Sequence, residues 1–198
     1  MFTAQWLRLG GGVVHPLTRR YIFTEGNVKF KIDLLALIVA VIALGLTVWQ
    51  GVTQIEHNKI SVEPRFNSYF SNHGNDGQWG VYILNNGMGT GFIKQLVVFV
   101  DGRVVAEHPL GQFYSALNEL KLNPSCFLVA APRKGDSFQI NNQEILIESN
   151  PNTDANCTPD KLLLMKYQKE RLDFKLVVES IYGVEFEYRY STNTQNKI

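Results

Sequence analysis

Residues 81–102 read V-Y-I-L-N-N-G-M-G-T-G-F-I-K-Q-L-V-V-F-V-D-G, two apolar runs separated by a glycine-rich turn. Both runs are rich in β-branched and aromatic residues, which favour strands. The closing pair, Asp101-Gly102, predicts a hairpin turn, because both central positions of such a turn need a positive φ. The stretch therefore predicts antiparallel β structure.

The glycines at positions 87, 89 and 91 raise the question of a phosphate-binding loop. In a dinucleotide-binding fold, a helix follows the glycine loop and its N-terminus binds the pyrophosphate. Here a second β run follows directly, and the spacing G-x-G-x-G lacks the third glycine of that fingerprint. The loop is interpreted as a turn in a sheet, where glycine lets the chain kink. No nucleotide or other cofactor is expected.

The rest of the C-terminal part also predicts strands. The segment E-F-E-Y-R-Y at 185–190 alternates strictly, which places Phe186, Tyr188 and Tyr190 on one face of a strand. After the apolar helix described below, an opening strand is suggested by Ile60, Val62, Phe66, Tyr69 and Phe70, with Pro64 marking a break or an edge. About seven short strands indicate a β-sandwich.

Two helical additions to this sandwich are predicted. Thr158 followed by Pro159 is typical of a helix start, and the helix is expected to run through residue 171. Residues 112–121 predict a short amphipathic helix or an irregular insertion. The expected fold class is mainly β, with one N-terminal transmembrane helix ahead of the sandwich.

The transmembrane prediction rests on residues 34–55, which contain 22 consecutive positions without a charge. Residues 34–52 alone would form a helix about 28 Å long, close to the hydrocarbon thickness of a bilayer. The alternative, a buried core helix, usually has a polar face, and this stretch has none. Trp49 lies where an interfacial aromatic residue is typical.

A cleaved signal peptide is a second interpretation of this segment. It is disfavoured because 33 residues precede the span and no A-x-A pattern follows it, so an uncleaved signal anchor is expected. The membrane-flanking cations before the span are Arg19, Arg20, Lys29 and Lys31, and those after it are Lys59 and Arg65. By the positive-inside rule the N-terminus is cytoplasmic and the C-terminal domain is exported from a bacterial inner membrane into the periplasm.

The predicted organisation has four parts. They are a basic cytoplasmic arm at 1–31, a transmembrane helix at 32–53, a juxtamembrane linker at 54–60 and an extracytoplasmic β-sandwich at 61–198. Small residues recur on one face of the span, a pattern that lets two membrane helices approach closely. They are Ala36, Ala40, Ala43 and Thr47. The stripe is either a helix–helix interface or a reflection of how common alanine is in such helices.

Two cysteines and four separate histidines are the remaining chemical candidates. Cys126 and Cys157 either form a disulfide, as an exported domain permits, or are two unrelated buried thiols. The histidines at 15, 57, 73 and 108 lack partners at metal-ligand spacing, so no metal site is expected. No nucleophile motif or acid–base constellation is present, and an enzyme is not expected.

Charge also limits the choice of partners. Residues 1–31 carry a balance of +4, which leaves −3 for the rest of the chain because the total is +1. Binding to the phosphate backbone needs clustered cations, so nucleic acid is not an expected partner.

The strand–Asn-x-Gly–strand–Asp-Gly pattern of residues 81–102 resembles the core of immunoglobulin-like adhesion modules. Together with the span and the stretch E-H-N-K-I-S-V-E-P (56–64), it also resembles a broad group of small uncharacterised bacterial proteins. In that group one N-terminal helix and a His-Asn-x-x-Ser-Val-x-Pro stretch precede a β-sandwich. The resemblance covers roughly residues 30–148 and the last two strands. It implies an immunoglobulin-like sandwich at the membrane and transfers no catalytic residue.

These observations predict a membrane-anchored binding or assembly module, an accessory or sensing subunit of a bacterial envelope complex. Its expected partners are the lipid bilayer and either another protein or further copies of itself. Edge strands or the loops at 71–80 and 112–125 are the expected contact regions. The alternative is an oligomerising effector whose helix permeabilises the bilayer under control of the β domain.

Overall fold

The computed structural model describes residues 25–72, 79–152 and 155–198, and its side chains from residue 32 onward except that of Ala155. Arg19 and Arg20 therefore lie outside the described residues, as do the side chains of Lys29 and Lys31. The chain divides between Gln50 and Gly51 into two units, which are described separately.

The first α-helix, α1, spans Glu25–Ser61. Among the described residues, α1 is the one helix that is long enough and apolar enough to cross a membrane. An 18-residue window of this helix has a mean hydropathy of 2.5, and no part of that window is buried. Residues 54–60, predicted as a linker, are helical. Ile60 and Val62 are therefore not in a strand, whereas Phe66, Tyr69 and Phe70 lie in the first strand, which begins at Phe66. The exposed Ala36, Ala40, Ala43 and Thr47 all lie in this helix, where the Thr47 hydroxyl donates to the Ala43 carbonyl at 2.8 Å.

The described residues after α1 form ten strands and two further α-helices. In chain order they are β1 Phe66–Ser71, β2 Gly80–Asn85, β3 Gly91–Val100, β4 Arg103–Val104, α2 Gln112–Glu119, β5 Phe127–Val129, β6 Ser137–Phe138, β7 Gln143–Ser149, α3 Thr158–Glu170, β8 Leu172–Ser180, β9 Glu185–Arg189 and β10 Thr194–Lys197. They make two antiparallel sheets, with the orders β1-β2-β7-β5 and β10-β9-β8-β3-β4; β6 also pairs with β3. Helix and strand occupy similar shares of the described residues, about 35% and 34%, so "mainly β" describes only the part after α1.

The two sheets share one hydrophobic core. Phe66 of the first sheet lies 6.3 Å from Tyr188 of the second, centroid to centroid. Helix α2 contributes Phe113 and Leu117, both fully buried, to the same core. The region 112–125 is therefore partly an internal element, and its apolar side is not available to a partner.

The strand registers define two ends of the β domain. Phe66 pairs with Asn85 and Gly91 pairs with Ser180 at the end that receives the chain from α1, called here the junction end. Val100 pairs with Leu172 at the opposite, distal end. There Asp101 and Gly102 have φ of 52° and 73°, which confirms the predicted hairpin between β3 and β4.

Candidate functional site: the junction between α1 and the sheets

Residues 62–65 connect α1 to β1, and together with Phe66, the first residue of β1, we call them the junction segment. The helix ends here because Pro64 lacks an amide donor and disfavours a helical residue before it. The last helical turn is closed by the Ser61 hydroxyl, which donates to the His57 carbonyl at 2.6 Å. The Val62 amide donates the last hydrogen bond of the helix, to the Asn58 carbonyl at 3.3 Å.

Asn85 is the central polar residue beside this segment, and it is fully buried. Its Oδ1 accepts hydrogen bonds from the backbone amides of Arg65 and Gly87, both at 3.0 Å. Its Nδ2 donates to the carbonyls of Gly89 at 2.8 Å and Phe138 at 3.2 Å. An Asn amide offers two acceptor sites and two N–H groups, so these contacts use its full capacity. One side chain thus joins the junction segment, the glycine loop and β6.

The glycine loop packs its backbone directly against the junction segment. A Cβ on Gly87 would overlap the backbone of Glu63 and Arg65, and a Cβ on Gly89 would overlap the Val62 carbonyl. None of the glycines at 87, 89 and 91 has a positive φ, so the loop needs glycine because there is no room for a side chain. The Asn86 amide adds a hydrogen bond of 2.7 Å to the Arg65 carbonyl.

Gln195 of β10 holds the junction segment from the other side. Its Oε1 accepts from the Phe66 amide at 3.0 Å, and its Nε2 donates to the Pro64 carbonyl at 2.7 Å. Asn193 acts similarly one step further along β1, where its Oδ1 accepts from the Ser68 amide at 3.3 Å. These side chains form hydrogen bonds with backbone groups on the outer edge of β1. These groups are therefore not available to pair with an added strand.

The cysteine pair lies away from the junction segment. Cys126 and Cys157 are joined by a disulfide with a Cα–Cα distance of 5.5 Å, and both residues are buried. The bond connects the short 3₁₀ turn Pro124–Cys126 to the turn Ala155–Cys157 immediately before α3. It therefore anchors the start of α3 to the strand β5 that follows the first turn.

The other predicted site residues are not brought together by the fold. Trp49 and the small-residue stripe lie along α1, and His108 stacks on Tyr114 with a centroid distance of 4.5 Å. His73 lies outside the described residues. In the part of the chain that the structure describes, no group of three or more His, Cys, Asp or Glu side chains is placed to bind a metal ion.

Charged pairs mark both ends of the second sheet. Near the junction end Lys94 contacts Glu179, and Glu185 lies 3.9 Å away; the hydrogen bond that Lys94 donates to the Glu179 carboxylate raises the pKa of Lys94. At the distal end the Arg171 guanidinium binds both carboxylate oxygens of Asp101 at 2.8 and 2.6 Å. That hydrogen bonding lowers the pKa of Asp101.

Comparison with protein-family models, curated proteins and solved structures finds no match for this chain. The junction is the described feature that bears on function. There the amide side chains of Asn85 and Gln195 form hydrogen bonds with the backbone of the junction segment. These bonds hold the connection between α1 and β1 in place.

Proposed function

We propose that the chain is a membrane-anchored binding or assembly module, an accessory or sensing subunit of a bacterial envelope complex. The observation that carries the proposal is the junction, where Asn85 and Gln195 bind the residues between α1 and β1 from two sides. In this proposal α1 spans the inner membrane and the β domain presents its surface to a partner.

The junction favours a positioning role over a flexible tether. A flexible tether typically consists of polar, solvent-exposed residues that make no fixed contacts. Here the connecting residues are joined to a fully buried Asn85, and such a buried polar group is costly unless all its hydrogen bonds are made. A β domain whose connecting residues are held by such bonds presents a defined surface, which suits assembly with another protein.

The strand order supports an immunoglobulin-like sandwich. In that fold one sheet has the order A-B-E-D and the other contains G-F-C, extended in some members by C′. The order β1-β2-β7-β5 corresponds to A-B-E-D, and β9-β8-β3-β4 corresponds to G-F-C-C′. Helices α2 and α3 and strand β10 are additions to that scheme. Immunoglobulin-like domains commonly serve as binding modules, which is an argument by analogy of fold.

The disulfide supports an extracytoplasmic location of the β domain. Disulfides persist in oxidising compartments and are rare in the cytosol. The same orientation follows from the cations Arg19, Arg20, Lys29 and Lys31, which precede the span and favour a cytoplasmic N-terminus.

Purification of the full chain from its own membranes in a mild detergent tests the proposal. We expect a second protein to co-purify in a fixed ratio. The Gln195→Ala variant, which loosens the junction, should retain less of it than the matched Asn196→Ala variant at a neighbouring exposed position. A chain that purifies only with itself and makes vesicles leak ions would support the oligomerising effector instead. A chain that purifies alone as a monomer would contradict both functions.

A further inference from the structure

The turn between β8 and β9 carries two large apolar side chains in solvent. Ile181 is 55% exposed and Tyr182 is 46% exposed. The turn is tight, with the Gly183 amide bonded to the Ser180 carbonyl at 2.9 Å and Gly183 at a φ of 73°. Turn positions normally carry Gly, Asn, Asp, Ser or Pro, so an Ile-Tyr pair at the tip needs an explanation other than turn formation.

This tip lies beside the last turns of α1. Ser180 and Val184, which flank the tip, line a small cavity together with Glu56 and Ile60. The glycine loop lies at the same end, because Gly87 and Gly89 contact the junction segment. Met88, between them, is 73% exposed.

Glu56 indicates where the apolar part of α1 ends. Glu56 is the first charged residue after the uncharged stretch 34–55. That stretch is about 33 Å long as a helix, while the hydrocarbon core is about 30 Å thick and the polar headgroup layers follow on either side. With α1 as a span, the headgroup layer would begin close to Glu56, which lines the same cavity as Ser180 and Val184.

We propose that Ile181 and Tyr182 insert into the lipid headgroup layer of the membrane that α1 spans, with Met88 as a second contact. This inference rests on the proposed function, because it requires α1 to be a membrane span. Tyrosine suits this layer, since its ring is apolar and its hydroxyl can remain hydrated. The carboxylates next to the turn, Glu179 and Glu185, face Lys94, which reduces their repulsion from anionic lipid.

Spin labelling of the full chain in liposomes tests this contact. Because the native cysteines are bonded to each other, Ile181→Cys introduces one reactive thiol for a nitroxide label. Val104→Cys is the matched control, since Val104 is an exposed aliphatic residue, 59% accessible, beside the hairpin turn at the distal end. The liposomes contain phosphatidylcholine with a minor share of phosphatidylglycerol, at a high ratio of lipid to protein.

We expect the label at position 181 to collide several-fold more with oxygen, relative to a water-soluble nickel chelate, than the label at position 104. Equal, water-like ratios at both positions in protein that floats with the liposomes after carbonate washing would overturn the lipid contact alone. Protein that fails to float would instead contradict the membrane span and the proposed function. Strong spin–spin coupling at position 181 in the lipid-diluted sample would mean that the turn is an interface between copies, and would also overturn the proposal.

Discussion

The Oδ1 atom of Asn85 accepts a hydrogen bond from the backbone amide of Arg65 at 3.0 Å. This contact joins the end of β2 to the segment that leaves α1, across 20 positions of the sequence. Because Asn85 is fully buried, its amide has no access to water as a substitute partner. The connection between helix and sheet therefore depends strongly on one side chain.

Replacement of Asn85 should destabilise the β domain more than any single change at its exposed neighbour. In Asn85→Ala the amides of Arg65 and Gly87 lose their acceptor, and each buried group left without a partner costs about 1–3 kcal/mol. We expect a loss of at least about 2 kcal/mol in the free energy of unfolding by urea, measured on the full chain in mild detergent. Asn86→Ala, whose side chain is exposed, should be close to neutral. Equal effects of the two variants would contradict the role of Asn85.

The close approach of the glycine loop to the junction segment can be tested at Gly89. A methyl group there overlaps the Val62 carbonyl, whereas a Cβ on Gly51 meets no atom within 4 Å beyond its own helical neighbours. Gly89→Ala should therefore displace residues 62–65 and make this segment susceptible to limited proteolysis. Gly51→Ala should leave the cleavage pattern unchanged. A Gly89→Ala protein as resistant as wild type would show that the loop does not need glycine at this position.

Gln195→Ala should loosen β1 without unfolding the domain. The Phe66 amide loses its acceptor and the Pro64 carbonyl loses its donor, so hydrogen exchange at the Phe66 amide should accelerate by at least about fivefold, since one hydrogen bond contributes about 1 kcal/mol or more. Asn196→Ala, on the opposite face of β10, is the control. Unchanged exchange at Phe66 in the Gln195 variant would mean that Gln195 does not hold the start of β1.

The pair Asp101–Arg171 predicts a pH dependence of stability at the distal end. Hydrogen bonding to Arg171 lowers the pKa of Asp101 in the folded protein. The pair therefore stabilises the fold above the ordinary aspartate pKa of about 3.9, and this contribution is lost as the pH falls through the lowered value.

Asp101→Asn is the matching variant, because Asn tolerates the positive φ at this position. The urea midpoint of wild type should exceed that of the variant at neutral pH, and the two should converge on acidification below a pH of about 4. A difference that stays constant across this range would show that the charge on Asp101 is not the source.

The sequence predicts best the features that local patterns encode. The uncharged run 34–55 indicates a long apolar helix, and Asp101-Gly102 indicates the hairpin, since each depends on residues adjacent in sequence. The alternation in 185–190 also correctly places Phe186 and Tyr188, which are 5% and 0% exposed, on the buried face of β9.

The junction was not predictable in the same way. Residues 54–60 contain charges and a histidine and look like a linker, yet they continue the helix because Ser61 and Pro64, not composition, set its end. Strand β10 was missed because its residues, T-Q-N-K, are polar, and its pairing with β9 and the bonds of Gln195 to the junction segment are long-range. The glycines of the loop at 87 and 89 signal a close backbone approach without indicating which segment approaches.

In the proposed topology α1 spans the membrane and the β domain lies on its extracytoplasmic side. Labelling of Val104→Cys with a membrane-impermeant maleimide in spheroplasts tests it most directly. We expect this variant to be labelled in intact spheroplasts, while wild type, with Cys126 bonded to Cys157, is not. Labelling of the variant only after lysis would place the domain in the cytoplasm and contradict the account.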